Sequence, residues 1–202
     1  VLPHCPYVAP HDLFDYYYDR VDVPTQPAAD EQPAAVANFR RRRGLLDPPL
    51  PEERIRVARA AYFGLCEYLD RQVGRVLDKI DDTGLARDTL VIYASDHGEM
   101  AGEHGCWWKS SYYEGSVGVP LVARLPGVIP SGSTSDEVCN LMDIGPTLAE
   151  VAGAPPLPQA DGHSLWQVLQ GHPDDRRPGE TFSEHGPTRG ESPSRMIRRG
   201  RW

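Results

Sequence analysis

Apolar residues recur every three or four positions between Glu53 and Asp82. Val57, Ala61, Leu65, Tyr68, Leu69, Val73, Val76, Leu77 and Ile80 predict one long helix with an apolar stripe, and Gly84 supplies its stop. The period then changes. Leu90-Val91-Ile92-Tyr93-Ala94-Ser95 carries no charge and has a β-branched centre, which predicts a strand buried on both faces of a parallel sheet. The short Leu85–Asp88 loop joins helix to strand, as an α/β unit requires. A second strand is predicted over Val117–Leu125, but Pro120 interrupts it, so that it begins near Leu121 or carries a bulge. Asp143–Ala152 reads as a helix with Pro146 tolerated in its first turn, and Ser164–Leu169 as a short helix between Pro-, Gly- and Asp-rich loops at 154–160 and 171–194.

The first 23 residues open at a strand end, Val1-Leu2, and pass His4 into an amphipathic, tyrosine-rich stretch, Leu13–Tyr18. Residues 24–53 are rich in Pro and Ala and include Arg40–Arg43, which reads as an exposed connection whose arginines face solvent. There is no internal repeat.

Composition narrows the function classes. The 202 residues suffice for one good-sized core, while 20 prolines and 19 glycines imply many loops. A formal charge of −8 disfavours a nucleic-acid partner. Four cysteines without a CxxC spacing do not make a disulfide scaffold, and they are expected to be mostly buried thiols. Neither a leader peptide nor an apolar run long enough to span a membrane is visible, and localisation stays open.

The candidate chemistry sits at the end of the first predicted strand, the rim where open α/β sheets place ligands. Asp96 offers a hard anionic oxygen and His97 a borderline nitrogen to one divalent cation, and Gly98 removes a side chain where the backbone must turn. Lys109, thirteen positions after Asp96, would place a cation beside a bound oxyanion. His104, in Gly-Glu-His-Gly, reads either as a further ligand or as an ordinary loop residue. Trp107 and Trp108 read either as core or as a wall for a cationic substrate such as choline, through cation–π attraction of about 0.5 to 2 kcal/mol. His11, His163, His172 and His185 are given no role.

Residues 88–126, DTLVIYASDHGEMAGEHGCWWKSSYYEGSVGVPLVARLP, resemble the sulfatases, in particular the choline-sulfatase-like and phosphonate-monoesterase-like branch of the alkaline phosphatase superfamily. Further segments extend the likeness in the right order. They are Pro3–Pro10 for a His-x-Pro segment, Tyr62–Leu77 for the central helix, Asn140–Gly153 for a following helix, and Asp161–Leu165 and Met196–Trp202 for later landmarks.

The resemblance implies an α/β fold, an alkaline-phosphatase-like α/β/α sandwich with a mostly parallel central sheet, incomplete in this chain, with residues 1–170 as the central part of the catalytic domain and 171–202 as a linker and the start of a C-terminal subdomain. It implies Asp96 and His97 as metal ligands, although many relatives carry Asn where this chain has His97. Lys109 matches the lysine that holds a sulfate oxygen, and His4 matches the histidine at the ester or its leaving group, so both are catalytic and substrate-binding candidates. In its imidazolium form His4 would protonate the departing oxygen. Gly118 stands where relatives commonly carry Arg.

The family's nucleophile is a formylglycine made from cysteine in Cys-x-Pro/Ala-x-Arg. Cys5, Cys66, Cys106 and Cys139 all lie in other contexts, and the early pair of aspartates is also missing. The chain therefore reads as an internal piece of a sulfuric ester hydrolase that is inactive by itself, with the formylglycine outside it. The expected cofactor is one divalent ion, calcium by family custom, with Mn²⁺ favoured more by His97 than it would be by Asn. The expected partner is a small-molecule sulfate ester, with homo-oligomerisation left open. A phosphonate or phosphate mono- or diesterase is the alternative from the same chemistry, and a catalytically inactive remnant the alternative from another class.

Overall fold

The computed structural model describes residues 2–109, 111–186 and 193–200. The expected strand tail at Val1 and the end of the last landmark, Arg201-Trp202, lie outside them. Leu2 stands in a turn rather than a strand. The chain forms two compact units, Val1–Thr83 with His97–Val119, and Gly84–Asp96 with Pro120–Trp202.

The first unit is helical. It contains α1 (His11–Tyr18), α2 (Ala34–Arg42), α3 (Glu52–Asp82) and the single turn of α4 (Glu114–Val117). Pro51 precedes α3, Glu52 and Glu53 complement the helix dipole in its first turn, and Thr83 closes it by bonding back to the Lys79 carbonyl. Gly84 follows at φ +73°, the left-handed stop that its position predicts.

α1 lies across α3 because Gly64 has no side chain: a Cβ there would meet the Ala9 Cβ at 2.9 Å and that of Leu13 at 3.4 Å. Tyr17 stacks on Phe63 beside this crossing, and Tyr18 donates to Glu53 at 2.6 Å. An eight-residue helix covers only part of a 31-residue one. Ala61 and Leu65 of the predicted stripe are accordingly buried, whereas Val57, Tyr68 and Val76 are exposed.

Residues 24–53, expected to be an exposed connection, contain α2 and supply much of the core. Phe39, Leu45, Ile55, Met100, Cys106 and Trp107 pack together, with Val36 and Leu50 at their margin. Arg40 departs furthest from its expected solvent position, at 2% exposed. Its Nη1 donates to the Pro27 carbonyl at 2.7 Å and to the side-chain oxygen of Gln32, so that end of the buried guanidinium is met by acceptors.

The second unit holds β1 (Val91–Ala94), β2 (Leu121–Arg124), α5 (Ile144–Val151), α6 (Trp166–Leu169), β3 (Glu180–His185) and β4 (Ser194–Arg199). β2 begins immediately after Pro120, as the proline requires, and Val117 falls in α4 instead. The expected parallel sheet is not present among the described residues: β1 pairs with β2, and β3 with β4, both antiparallel. The β1 run consequently lacks cover on both faces, and the cross-strand pair Tyr93 and Val122 is exposed. β3 occupies part of the segment read as loop, because cross-strand pairs such as Phe182 with Ile197 outweigh its turn-rich composition.

α5 is entered through a turn at Leu141–Asp143. The buried Asp143 accepts from the Asn140 and His163 N–H groups and pairs with Arg177 at 2.7 Å. Arg177 also donates to the Val138, His163 and Ser164 carbonyls, tying this unit's loops to one charge pair. Among the described residues no helix is long and apolar enough to cross a membrane.

Candidate functional site

The second segment of the first unit starts at His97, and Gly98 fixes its course. The Gly98 N–H donates to the Ser116 carbonyl at 2.8 Å, and the Gly115 carbonyl occupies the space a Cβ would need. Only glycine permits this approach.

Residues 99–108 follow as a tight loop in which Ala101, Gly102, His104, Gly105 and Trp108 all have positive φ, from 46° to 91°. Three of the five carry a side chain, which costs about 1 to 2 kcal/mol each and must be offset by contacts. Bonds inside the loop supply part of the offset: Met100 N–H to the Trp108 carbonyl at 2.9 Å, Gly102 N–H to the Cys106 carbonyl at 2.9 Å and Glu103 N–H to the Met100 carbonyl at 2.8 Å.

The scaffold supplies the rest. Arg59 donates to the Ala101 carbonyl at 2.7 Å, Gln26 to that of Gly102 at 3.0 Å and Gln32 to that of His104 at 2.8 Å. The Arg40 guanidinium presses against Gly105 so closely that no Cβ would fit. Met100, Cys106 and Trp107 meanwhile anchor the loop in the core. The glycine-punctuated text thus encodes a rigid element, not a floppy one.

The loop delivers Lys109 to His97. Lys109 is exposed, and its Nζ lies 2.7 Å from His97 Nε2. His97 Nδ1 lies 2.8 Å from the Gly98 carbonyl oxygen, which can only accept. The proton therefore sits on Nδ1, and Nε2 presents its lone pair to the ammonium. His4 completes the group, its ring edge-on to that of His97 at 5.6 Å between centroids and 71° between planes. His4 Nδ1 lies 2.8 Å from the Cys5 carbonyl oxygen, which by the same logic directs a lone-pair Nε2 away from its own backbone.

Three of the four predicted site residues thus meet in one unit. Asp96, the fourth, belongs to the second unit, where it is exposed two residues beyond β1.

The remaining candidates resolve by their contacts. The His104 ring stacks on Tyr113 at 4.0 Å. Trp107 is core, and the cation over half-buried Trp108 is the chain's own Arg43, 5.6 Å from the ring centroid. Beneath the loop the buried Tyr7 phenol is held well above its ordinary range, first by burial and then by the neighbouring Glu99 carboxylate.

Glu99 itself is a residue that sequence reasoning passed over. Its Oε1 accepts from the Ala101 N–H at 3.0 Å and the Trp108 N–H at 2.6 Å. The signal available was a carboxylate at the head of a segment punctuated by Gly98, Gly102 and Gly105, where turning backbone leaves N–H groups in need of an acceptor.

For a divalent ion, the donors fit in kind. The Asp96 carboxylate is a hard ligand and the His97 imidazole a borderline one, with its Nε2 lone pair facing the Lys109 ammonium at 2.7 Å in this structure. In number they fall short: among the described residues no three His, Cys, Asp or Glu side chains group closely enough to hold an ion.

The sulfatase family model matches residues 4–154. The choline-sulfatase of Rhizobium meliloti (strain 1021) is 35% identical over 206 aligned positions, covering 99% of this chain and 39% of its own. Arylsulfatase K of Danio rerio is 36% identical over 154 positions, covering 75% and 29%. Among solved structures, a phosphonate monoester hydrolase from Silicibacter pomeroyi is similar with a TM-score of 0.80 and 29% identity, over 90% of this chain and 38% of its own. The chain spans about two fifths or less of the length of these relatives.

Proposed function

Since this chain belongs to the sulfatase family, we propose that it carries the sulfate-holding and leaving-group side of a site that hydrolyses sulfate esters. The observation that supports this most is the convergence of Lys109, His97 and His4, with the lysine ammonium 2.7 Å from His97 Nε2. Hydrolysis of a sulfate ester moves negative charge onto the non-bridging and leaving oxygens, so fixed cations beside those oxygens lower the barrier. The Lys109 ammonium has three N–H donors, of which the His97 bond uses one. Its remaining donors hold a non-bridging sulfate oxygen, while His97 keeps the side chain aimed. His4 sits against the same imidazole, and in its imidazolium form it would deliver the Nε2 proton to the departing oxygen.

Asp96 and His97 are proposed as ligands of one divalent cation, His97 through Nε2 in exchange for its bond to Lys109; the ion, Ca²⁺ by family custom or Mn²⁺ on account of the imidazole, would add Lewis-acid stabilisation of the same charge. The formylglycine nucleophile is proposed to lie outside these residues, because none of the four cysteines stands in the Cys-x-Pro/Ala-x-Arg context. These 202 residues alone would then be inactive, and 171–202 would open a further subdomain.

A second reading, hydrolysis of phosphonate or phosphate esters, is favoured by the likeness to the Silicibacter pomeroyi phosphonate monoester hydrolase. Turnover of p-nitrophenyl sulfate and of p-nitrophenyl phenylphosphonate by the full-length protein separates the two. Preference for the sulfate supports the first reading, and preference for the phosphonate replaces it with the second. Turnover by the 202 residues alone would refute the external nucleophile. A full-length protein inert to both esters would leave the remnant reading standing.

A further inference from the structure

We propose that Glu99 is the positioning residue that aims Lys109, acting through the backbone of Trp108. Three observations carry this. Trp108, the residue before the lysine, sits at φ +64°, a conformation that an L-residue with a large side chain does not hold by itself. Its two peptide groups are both restrained: the N–H donates to Glu99 Oε1 at 2.6 Å, and the carbonyl accepts from the Met100 N–H at 2.9 Å. The same carboxylate oxygen also accepts from the Ala101 N–H, where φ is +46° at the opposite side of the loop. One oxygen therefore ties the entry and exit of the 99–108 loop together. A charge-assisted bond of this length is stronger than a neutral one, and it acts at the one residue whose backbone decides where Lys109 starts.

Glu99 does not touch the lysine ammonium or an ester. Its effect is geometric: without the bond Trp108 relaxes toward negative φ, and the lysine Cα swings with it. The other loop anchors do not share this role. Gln26 and Gln32 bind the carbonyls of Gly102 and His104, on the far side of the loop, and Arg59 binds the Ala101 carbonyl, none of them reaching Trp108. They hold the loop to its scaffold rather than its ends to each other. The proposal rests on Lys109 as the oxyanion-holding group only for its catalytic consequence, not for the geometry itself.

The test reads the His97 imidazole nitrogens by NMR in the full-length protein, with Lys109→Ala defining the signal of a His97 Nε2 that has lost its ammonium. Glu99→Ala is expected to move the Nε2 resonance to the Lys109→Ala position. Glu99→Gln keeps an acceptor oxygen without the charge, and is expected to move the resonance part of the way. Gln32→Ala, which removes a far-side anchor, is expected to leave it at the parent position. On p-nitrophenyl sulfate, Glu99→Ala is expected to lose about tenfold to hundredfold, in kcat more than in KM, as for a functional group displaced by about 1 Å.

A Glu99→Ala protein whose His97 resonance coincides with the parent overturns the proposal, as does a Gln32→Ala shift equal to that of Glu99→Ala. Should Glu99→Ala fail to fold, Glu99→Gln decides by the same criterion. A Glu99→Ala shift in a protein that turns over no ester supports the positioning role and counts against the hydrolytic reading instead.

Discussion

Replacing Gly98 with alanine adds one methyl group where its backbone packs directly against that of Gly115 and Ser116. The new Cβ would stand 3.0 Å from the Gly115 carbonyl carbon and 3.3 Å from the Ser116 oxygen, and nearer still to the Gly115 oxygen. The Gly115 oxygen is the tightest of these contacts, and restoring it to van der Waals distance requires the segments to part by about 1 Å. All the opposing atoms are backbone, and no side-chain rotation relieves the clash. Parting them also stretches the 2.8 Å bond from Gly98 N–H to the Ser116 carbonyl. Overpacking of this kind costs about 1 to 3 kcal/mol, and the strained bond adds about 1 kcal/mol. For a chain of this size that corresponds to a fall in Tm of about 5 to 15 °C, measured by calorimetry. The adjacent His97 moves with Gly98, so its bond to Lys109 is expected to lengthen and the His97 Nε2 resonance to shift. A Gly98→Ala protein that melts within 1 °C of the parent and keeps the parent His97 signal would refute the packing argument.

Other expectations test separate parts of the account. Asp96→Ala in the full-length protein is expected to weaken divalent-metal binding at least tenfold by calorimetric titration; unchanged affinity would remove Asp96 from the ligand set. Arg40→Ala is expected to cost about 2 to 3 kcal/mol in urea unfolding, because the Pro27 carbonyl and Gln32 lose a buried donor and Gly105 loses its packing partner; a loss below 0.5 kcal/mol would contradict that. Burial pushes the Cys106 thiol above its ordinary range, against a partial offset from Arg40, so less thiolate is present at pH 8 than for an exposed cysteine. Iodoacetamide is therefore expected to label Cys106 only after urea is added, and rapid labelling of the native protein would show that the core is open.

The elements legible in the sequence were those whose signal is local and repeated. α3 matches its predicted span to within one residue because more than eight turns of periodicity lie between an acidic start and Gly84. Pro120 marks the start of β2 because a ring nitrogen cannot serve a ladder. Pro146 falls in the first turn of α5 for the complementary reason.

What escaped depends on partners distant in the chain. Four consecutive arginines read as solvated, yet Arg40 is buried because Pro27, Gln32 and Gly105 come to it from elsewhere in the chain. An apolar strand text does not say which neighbour it will have, and β1 pairs antiparallel with β2 among the described residues. The candidate residues His4, Asp96, His97 and Lys109 were picked out through the likeness to the sulfatases, and three of them, His4, His97 and Lys109, meet in the first unit. The site's rigidity was not legible, since five left-handed residues and the carboxylate that ties their loop shut are properties of conformation rather than composition.

The most direct test of the central claim is kcat/KM for p-nitrophenyl sulfate in the full-length protein and its Lys109→Ala variant. Removal of a fixed cation from the developing sulfate charge predicts a loss of about tenfold to a thousandfold with the fold intact by circular dichroism. An unchanged kcat/KM would show that the ammonium beside His97 holds no substrate oxygen, and would contradict the account.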